Sequence, residues 1–271
     1  MLLSRARAAM TRRLGGGSAK AGPGLRPLLL DAAAIAVGVV AYFGVRGLTE
    51  GSTARAVEHA EEILLLERTI GLDLEVGLQS AVAEVPALVT VANWVYVWGH
   101  WPAIVATLLW LAMTHRRVFR RLRDAMAVSG ALGVCVYVSY PVAPPRLARL
   151  GMTDSITEQS QAYRVLQPPA FTNQYAAMPS LHVGWNLLLG LALVAAAGGG
   201  LLVLIGRITP WLMAVATVVT ANHFVLDVVV GAAFGLVGWT VAGYLEARRQ
   251  SDAGRPPAHM LPADALVSPR S

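Results

Sequence analysis

Three short stretches of the chain carry side chains that can do phosphoryl chemistry. They are Tyr140-Pro-Val-Ala-Pro-Pro-Arg146, Met178-Pro-Ser-Leu-His182 and His223-Phe-Val-Leu-Asp227, each at the end of a strongly apolar segment. Histidines can act as nucleophile and general acid, an aspartate can orient an imidazole, and an arginine binds phosphate oxygens. These residue types together predict phosphoryl transfer at a membrane surface.

The third stretch predicts a nucleophile and its partner. His223 and Asp227 are four residues apart, so they share a helix face if the helix has begun by residue 223. An aspartate that accepts from one imidazole nitrogen leaves the other nitrogen free to attack, as in a serine protease triad. Attack of His223 on phosphorus would give a phosphohistidine intermediate.

The other two stretches predict an acid and phosphate ligands. Ser180 can cap a helix whose free N–H groups face a bound anion, which makes it a candidate phosphate-binding residue. His182, just inside that helix, suits a general acid for the departing alcohol oxygen. Arg146 supplies a permanent positive fork for phosphate oxygens, and Arg149 and Arg164 lie in the same loop.

Each of these residues also has a purely structural interpretation. A single His-x-x-x-Asp pair is common on helices, Arg146 could anchor in the phosphate layer of the membrane, and His182 could be a buried polar contact. Two histidines and an aspartate could also form a three-ligand zinc site. Because a guanidinium beside a cation is unfavourable, we expect an anion site with no metal and no organic cofactor.

The composition predicts the fold class. Hydrophobic residues make up 55% of the chain, charged residues only 14%, and mean hydropathy is +0.54. Apolar runs of about 20 residues can cross a hydrocarbon core. We therefore expect an all-α, polytopic bundle of six transmembrane helices, near residues 27–48, 88–113, 125–142, 181–197, 201–220 and 225–246.

The basic residues predict the orientation in the cell membrane. Most of the 22 lie before the first run, between the second and third, or after the sixth. The positive-inside rule then puts both termini in the cytoplasm and all three motifs at the outer face. These juxtamembrane clusters account for the net charge of +6 through topology and membrane lipids, and we expect no nucleic-acid partner. Cys135, the single cysteine, excludes an intrachain disulfide.

The chain divides into one membrane domain and two tails. We expect a basic cytoplasmic tail over residues 1–26, the membrane domain over 27–248, and a cytoplasmic tail over 249–271, with both tails disordered. The acidic segment 50–86 should lie outside. Within it, apolar residues at helical spacing predict one amphipathic helix in the outer interface: Ile63, Leu66, Ile70, Leu74 and Leu78.

One further histidine stays outside the predicted site. His100 lies among Trp94, Trp98 and Trp101, which have the spacing of an interfacial aromatic belt. We interpret it as a histidine hydrogen-bonded between helices.

The motifs resemble those of the type 2 phosphatidic acid phosphatase superfamily. Its second signature appears as Pro179-Ser-Leu-His182 and its third as His223-Phe-Val-Leu-Asp227. The resemblance implies His223 as nucleophile, Asp227 as its partner, His182 as leaving-group acid and a six-helix bundle with an outer-face site. Leu181 in place of glycine, the Pro-Pro-Arg146 form of the first motif and the run 173–182 resemble the inositol phosphorylceramide synthase-like branch.

The chain departs from the superfamily pattern at two cationic positions. Ser139, Ala216 and Thr217 stand where the pattern has a lysine and a Ser-Arg pair. Either an outer-loop arginine or Asn222 replaces these phosphate ligands, or the bound phosphate is a diester of lower charge. The loss of the two cations favours head-group transfer over monoester hydrolysis, and weakened catalysis is the other interpretation.

The sequence thus predicts a membrane lipid phosphatase or phosphotransferase. Its substrate would be a lipid phosphate, a prenyl pyrophosphate or a phospholipid, with an alcohol acceptor in the transferase case. The alternative is a transporter or a catalytically silent scaffold. Transporters keep polar residues near mid-membrane and show internal repeats, whereas here the polar residues gather at one end and no repeat is evident.

Overall fold

The computed structural model describes residues 53–148, 151–155 and 174–253, together with residues 29, 33, 36–38 and 40. Residues 1–39 are grouped as one unit, of which the described positions are helical. Most of the predicted first span, the N-terminal tail and most of the C-terminal tail lie outside the described residues. Residues 40–271 form the second unit, and the helices below belong to it.

The described part of the second unit is helical and contains no strand. Its helices are α1 Thr53–Ile70, α2 Glu75–Ala83, α3 Pro86–Trp98, α4 Trp101–Thr114, α5 Arg116–Ser139, α6 Leu181–Ala196, α7 Leu201–Val219 and α8 Val225–Ala253. A single isolated bridge pairs Val142 with Ala176. The predicted all-α class is therefore confirmed for these residues.

Several of these helices can cross a membrane. Within the described residues, α5, α7 and α8 are long and apolar enough, and α3 with α4 makes a fourth candidate if this pair, bent by 46°, is one span. The bend falls in the middle of the predicted second span. α6 is apolar but has only 16 residues, or about 24 Å of helix. These apolar helices indicate a membrane protein.

The predicted interfacial helix is two helices. Gly71 ends α1 with a φ of +72°, a conformation that glycine adopts without steric cost, and α2 starts four residues later. Of the predicted apolar face, only Ile63 is buried. The buried face of α1 is instead formed by Ala56, Ala60, Ile63 and Glu67. Hydrophobic spacing therefore joined two helices into one, and it did not indicate the face that α1 packs against protein.

The core is built around α6, which packs against α4, α5, α7 and α8. Leu188, Leu189 and Ala192 of α6 form one apolar cluster with buried residues of α4, α5 and α8. Because its neighbours surround it, the short α6 buries its apolar surface against protein.

The backbones of α6 and α8 touch near the starts of both helices, with no side chain between them. A Cβ on Gly231 of α8 would lie 2.1 Å from the carbonyl oxygen of Ser180, and one on Gly184 of α6 would lie 2.5 Å from the carbonyl oxygen of Gly231. The Ser180 N–H donates to the carbonyl oxygen of Asp227 at 2.9 Å. This contact fixes His182, at the start of α6, beside the start of α8.

We predict that Gly231→Ala is strongly destabilising. The added methyl cannot fit against the Ser180 backbone, and overpacking of this kind costs about 1–3 kcal/mol. Gly77→Ala is the matched control, because Gly77 is a helical glycine with open space at its Cβ position. Thermal unfolding in detergent should show a lower midpoint for Gly231→Ala and an unchanged or higher one for Gly77→Ala. Equal midpoints would contradict the close approach of α6 and α8.

Candidate active site

Backbone hydrogen bonds hold the three sequence stretches together at one end of the helices. Val142 N–H donates to the Tyr175 carbonyl at 2.8 Å, and Ala177 N–H donates to the Val142 carbonyl at 3.2 Å. Arg146 N–H donates to the Ala221 carbonyl at 3.1 Å. The loops before α6, after α5 and between α7 and α8 therefore form a single structure.

His223 is oriented mainly by a backbone carbonyl. Its Nδ1 lies 2.8 Å from the Ala177 carbonyl oxygen and 3.5 Å from Asp227 Oδ2. Because a carbonyl oxygen can only accept, Nδ1 must carry the proton, and Nε2 keeps its lone pair. The expected pairing of His223 with Asp227 is thus present only as a longer contact. α8 begins at Val225, two residues after His223, so the two side chains do not share a helix face.

Asp227 holds the loop that carries His223. It is fully buried, and its Oδ2 accepts from the Phe224 N–H at 2.9 Å, as the third residue of a capping box does. Its Oδ1 has no hydrogen-bond partner among the described residues. The carboxylate therefore caps α8 and adds negative charge close to His223.

His182 lies in a stack of aromatic rings beside His223. Its ring centroid is 4.4 Å from that of Tyr96, 4.0 Å from that of His100 and 5.6 Å from that of His223. Its Nε2 is buried and has no hydrogen-bond partner within the described part of the chain. The stack orients the imidazole, which leaves this nitrogen for a ligand.

Ser180 is the N-cap of α6, as expected. Its Oγ accepts from the Val183 N–H at 3.4 Å, and the residue is fully buried. The cap uses one lone pair of the hydroxyl, and its proton can still be donated to an anion at this helix start.

Arg146 is held from two sides. Its Nε donates to Asn222 Oδ1 at 3.0 Å and its Nη1 to Asp154 Oδ2 at 3.0 Å. Asn222 Nδ2 donates in turn to the carbonyl and the hydroxyl oxygens of Thr220. Asn222 thus orients the guanidinium next to the His223 loop, and its amide does not replace a missing cation.

Two polar side chains of the apolar helices hold the segment that carries Asp154. Gln79 of α2 donates to the Thr153 carbonyl and accepts from the Thr153 N–H, both at 2.9 Å. Asn93 of α3 donates to the Ser155 carbonyl at 3.1 Å. The sequence signal for this support was an asparagine inside an apolar helix, where a polar group is costly.

Two buried acids accept hydrogen bonds from backbone N–H groups at the start of α8. Glu75 Oε1 accepts from the Val225 N–H at 2.8 Å, and Glu67 Oε1 accepts from the Leu226 N–H at 2.7 Å. Burial, and secondarily the neighbouring carboxyl of Glu75, raise the pKa of Glu67 to about 8, although its hydrogen bond from Leu226 opposes the shift. Sequence analysis placed these acids only within an exterior acidic segment.

A comparison with known protein families identifies the chain. The profile of the PAP2 superfamily matches residues 61–241, which include all three motifs. The chain belongs to the PAP2 superfamily. Members of the PAP2 superfamily are phosphatases or phosphotransferases, which confirms the predicted resemblance at the level of the superfamily. No curated protein and no solved structure matched the chain in the same comparisons.

At the two departures from the PAP2 pattern, the described residues support the loop backbone and bring no cation. Ser139 Oγ donates to the Cys135 carbonyl at 2.8 Å, and the Thr217 carbonyl accepts from the N–H groups of Asn222 and His223. These positions support the backbone of the loops. Arg149 and Arg164 lie outside the described residues.

His100 lies against His182 in this PAP2 site, although sequence analysis left it outside the predicted site. It lies at the bend between α3 and α4, and its ring stacks on His182. Its Nδ1 is buried with no hydrogen-bond partner in the described residues, so the proposed interhelical hydrogen bond finds no support there. The exposed tryptophans around it fit the predicted aromatic belt.

We predict that Nδ1 is the proton-bearing nitrogen in the neutral tautomer of His223. The carbonyl of Ala177 requires this tautomer. NMR of protein labelled at the imidazole nitrogens, with the His223→Asn variant to assign the signal, measures it directly. A resonance pattern of the Nε2-protonated tautomer would contradict the hydrogen bond to Ala177.

Proposed function

We propose that this chain is an integral membrane lipid phosphatase or phosphotransferase that works through a phosphohistidine at His223. Membership of the PAP2 superfamily and the apolar helices support the general class. The observation that supports the mechanism most is the Ala177 carbonyl on Nδ1 of His223, which leaves the lone pair of Nε2 for attack.

In the first step, Nε2 of His223 forms a bond to phosphorus, and the bond from phosphorus to the leaving oxygen breaks. His182, protonated at Nε2, gives its proton to that oxygen. The guanidinium of Arg146 and the N–H groups at the start of α6 stabilise the charge on the remaining phosphoryl oxygens. The buried carboxylate of Asp227 stabilises the positive charge that develops on the His223 ring.

In the second step, water or an alcohol attacks the phosphohistidine, and His182 accepts the proton of the attacking oxygen. The bond between phosphorus and Nε2 breaks, which restores neutral His223. With a monoester or pyrophosphate donor, attack by water gives inorganic phosphate, whereas with a diester donor it gives a phosphomonoester. Attack by an alcohol gives a new phosphoester. The same site thus serves a hydrolase or a transferase, and access of the acceptor decides between them.

The charge of the described residues around the site supports a substrate of low charge. Ser139, Ala216 and Thr217 contribute no cation, and Arg146 already pairs with Asp154 at 3.0 Å. A phosphodiester carries one negative charge, whereas a monoester carries up to two near neutral pH. We therefore propose a phospholipid head group as the donor, as in the inositol phosphorylceramide synthase-like branch.

We also propose six membrane spans, with the site at the outer face and both termini in the cytoplasm. The bent α3–α4 pair, α5, α6, α7 and α8 would follow a first span over residues 27–48. Support comes from the end of the bundle opposite the histidines, where α5 starts and α8 ends. There Arg249 pairs with Asp124 at 2.6 Å, and Arg121 lies 4.2 Å over the ring of Trp239. Neither the family nor this arrangement favours the transporter or scaffold alternative.

We expect His223→Asn to abolish turnover. The assay uses purified full-length protein in mixed micelles with dioleoyl phosphatidic acid, farnesyl pyrophosphate or dioleoyl phosphatidylglycerol, with and without myo-inositol and in EDTA. Loss of a nucleophile should lower kcat by at least about 10³-fold. Free phosphate from the first two probes, or glycerol phosphate from phosphatidylglycerol, identifies a hydrolase, and acceptor-dependent new lipid identifies a transferase.

His115→Asn is the control, because His115 lies between α4 and α5, where its Nδ1 bonds Thr114. It should keep wild-type activity. Equal activity of wild type and His223→Asn on every probe would contradict the proposed function, and loss of activity in EDTA would contradict its metal-free form.

A further inference from the structure

The start of α8 is held by three carboxylates from three helices, which we call the carboxylate cap: Glu67, Glu75 and Asp227. Consecutive N–H groups of Phe224, Val225 and Leu226 donate to Asp227, Glu75 and Glu67 at 2.9, 2.8 and 2.7 Å. A helix start leaves these amides without partners inside the helix, and negative charge there is favourable. The cap satisfies them in the buried setting beside His223.

The two acids from α1 and α2 are buried far more than surface acids are. Glu67 is 0% exposed and Glu75 is 3% exposed. Burying a carboxyl group is costly unless it is hydrogen-bonded, and the bonds to α8 are the ones that compensate. Neither residue lies in a helix of the candidate membrane spans, so their contacts tie an exterior pair of helices to the site-bearing end of α8.

α1 is itself anchored, so the cap is a rigid support. His59 Nδ1 donates to the Pro141 carbonyl at 2.8 Å, and its ring stacks on Tyr140 at 3.8 Å. The Tyr140 hydroxyl donates to Glu62 Oε2 at 2.6 Å. These contacts join α1 to the end of α5, next to the loop of Arg146.

We propose that Glu67 and Glu75 are positioning residues, which hold the start of α8, and with it His223 and Asp227, in the reactive geometry. The inference rests on the proposed function, since it concerns the same His223. Neither acid needs to touch the substrate. Their effect passes through the amides of Val225 and Leu226 to the adjoining loop.

The protonation of Glu67 adds a pH dependence to this role. Glu67 faces Glu75 of α2 and Asp227 of α8, and Asp227 lies against His223. With its pKa raised from 4.5 to about 8, Glu67 is neutral near pH 7, and only two of the three cap carboxyls are negative beside an anionic substrate. Above about pH 8 the third charge appears, which opposes phosphate binding and raises KM.

The raised pKa of Glu67 also makes the stability of the fold depend on pH. A raised folded-state pKa means that the folded protein binds this proton more tightly than the unfolded chain. The stabilisation is complete below pH 4.5 and is lost as pH rises through about 8. Glu67→Gln should remove this slope, because the amide has no proton to lose.

The experiment compares Glu67→Gln and Glu67→Leu in the full-length protein. Gln keeps an oxygen for the Leu226 N–H and a donor in place of the acidic proton, whereas Leu keeps neither. Glu61→Leu is the matched control, because Glu61 is an exposed acid on the same helix. The readouts are kcat and KM from pH 6 to 10 on whichever micellar probe the wild type turns over, and hydrogen exchange of residues 222–230.

We expect Glu67→Leu to lower kcat roughly tenfold to a hundredfold and to speed exchange at the start of α8, because small misplacements of a reacting group are costly. Glu67→Gln should keep the wild-type kcat and lose the rise of KM above about pH 8. Glu61→Leu should match the wild type throughout.

Wild-type kcat and a wild-type pH profile in both Glu67 variants would overturn the inference. So would faster exchange in Glu67→Leu without a fall in kcat. If Glu67→Leu does not fold, the test is the KM of Glu67→Gln above about pH 8. A rise of KM equal to that of the wild type overturns the inference. A wild type that is silent on every probe overturns the proposed function itself, and the positioning role with it.

Discussion

The start of α8 is the point on which the rest of the site depends. Its first amides are buried or partly buried, and the carboxylate cap satisfies three of them. Because Gly231 brings the same helix start into contact with the Ser180 backbone, the position of α8 also sets the start of α6. The His182 and His223 rings, 5.6 Å apart, thus owe their separation to packed backbone and to buried charge, both of which are rigid.

Buried polar groups are concentrated at this end of the bundle. Gln79 and Asn93 hold the segment of Asp154, Asp154 and Asn222 hold Arg146, and the Ala177 carbonyl holds His223. In an apolar chain each such group is costly unless it is paired. Here most are paired with loop backbone, and they orient the guanidinium of Arg146 and the imidazole of His223. This arrangement suits recognition of an anion whose position must be controlled closely.

The sequence predicted the membrane class, most helix positions, the superfamily and the Ser180 cap, since these depend on local composition and short motifs. It did not predict that Glu67 and Glu75 bind amides more than 140 residues away, because periodicity identifies a helix face and not its partner. The same limit explains the missed stack of His100 on His182. The carbonyl that orients His223 belongs to Ala177, and no side-chain motif can indicate a backbone acceptor. Gly71 signalled the break between α1 and α2, but the apolar spacing continued across it.

If His223 is the nucleophile, a phosphohistidine forms on it during turnover. Isolation of this covalent intermediate is the most direct test. Full-length protein is mixed with a substrate that carries a radioactive phosphorus, quenched with alkali within milliseconds, digested and mapped by mass spectrometry. We predict a phosphoryl group on Nε2 of His223, stable to base and labile to acid, which keeps its head-group ester when the donor is a phosphodiester. Steady turnover with no phosphorylated residue, or with the phosphoryl group on a residue other than His223, would contradict it.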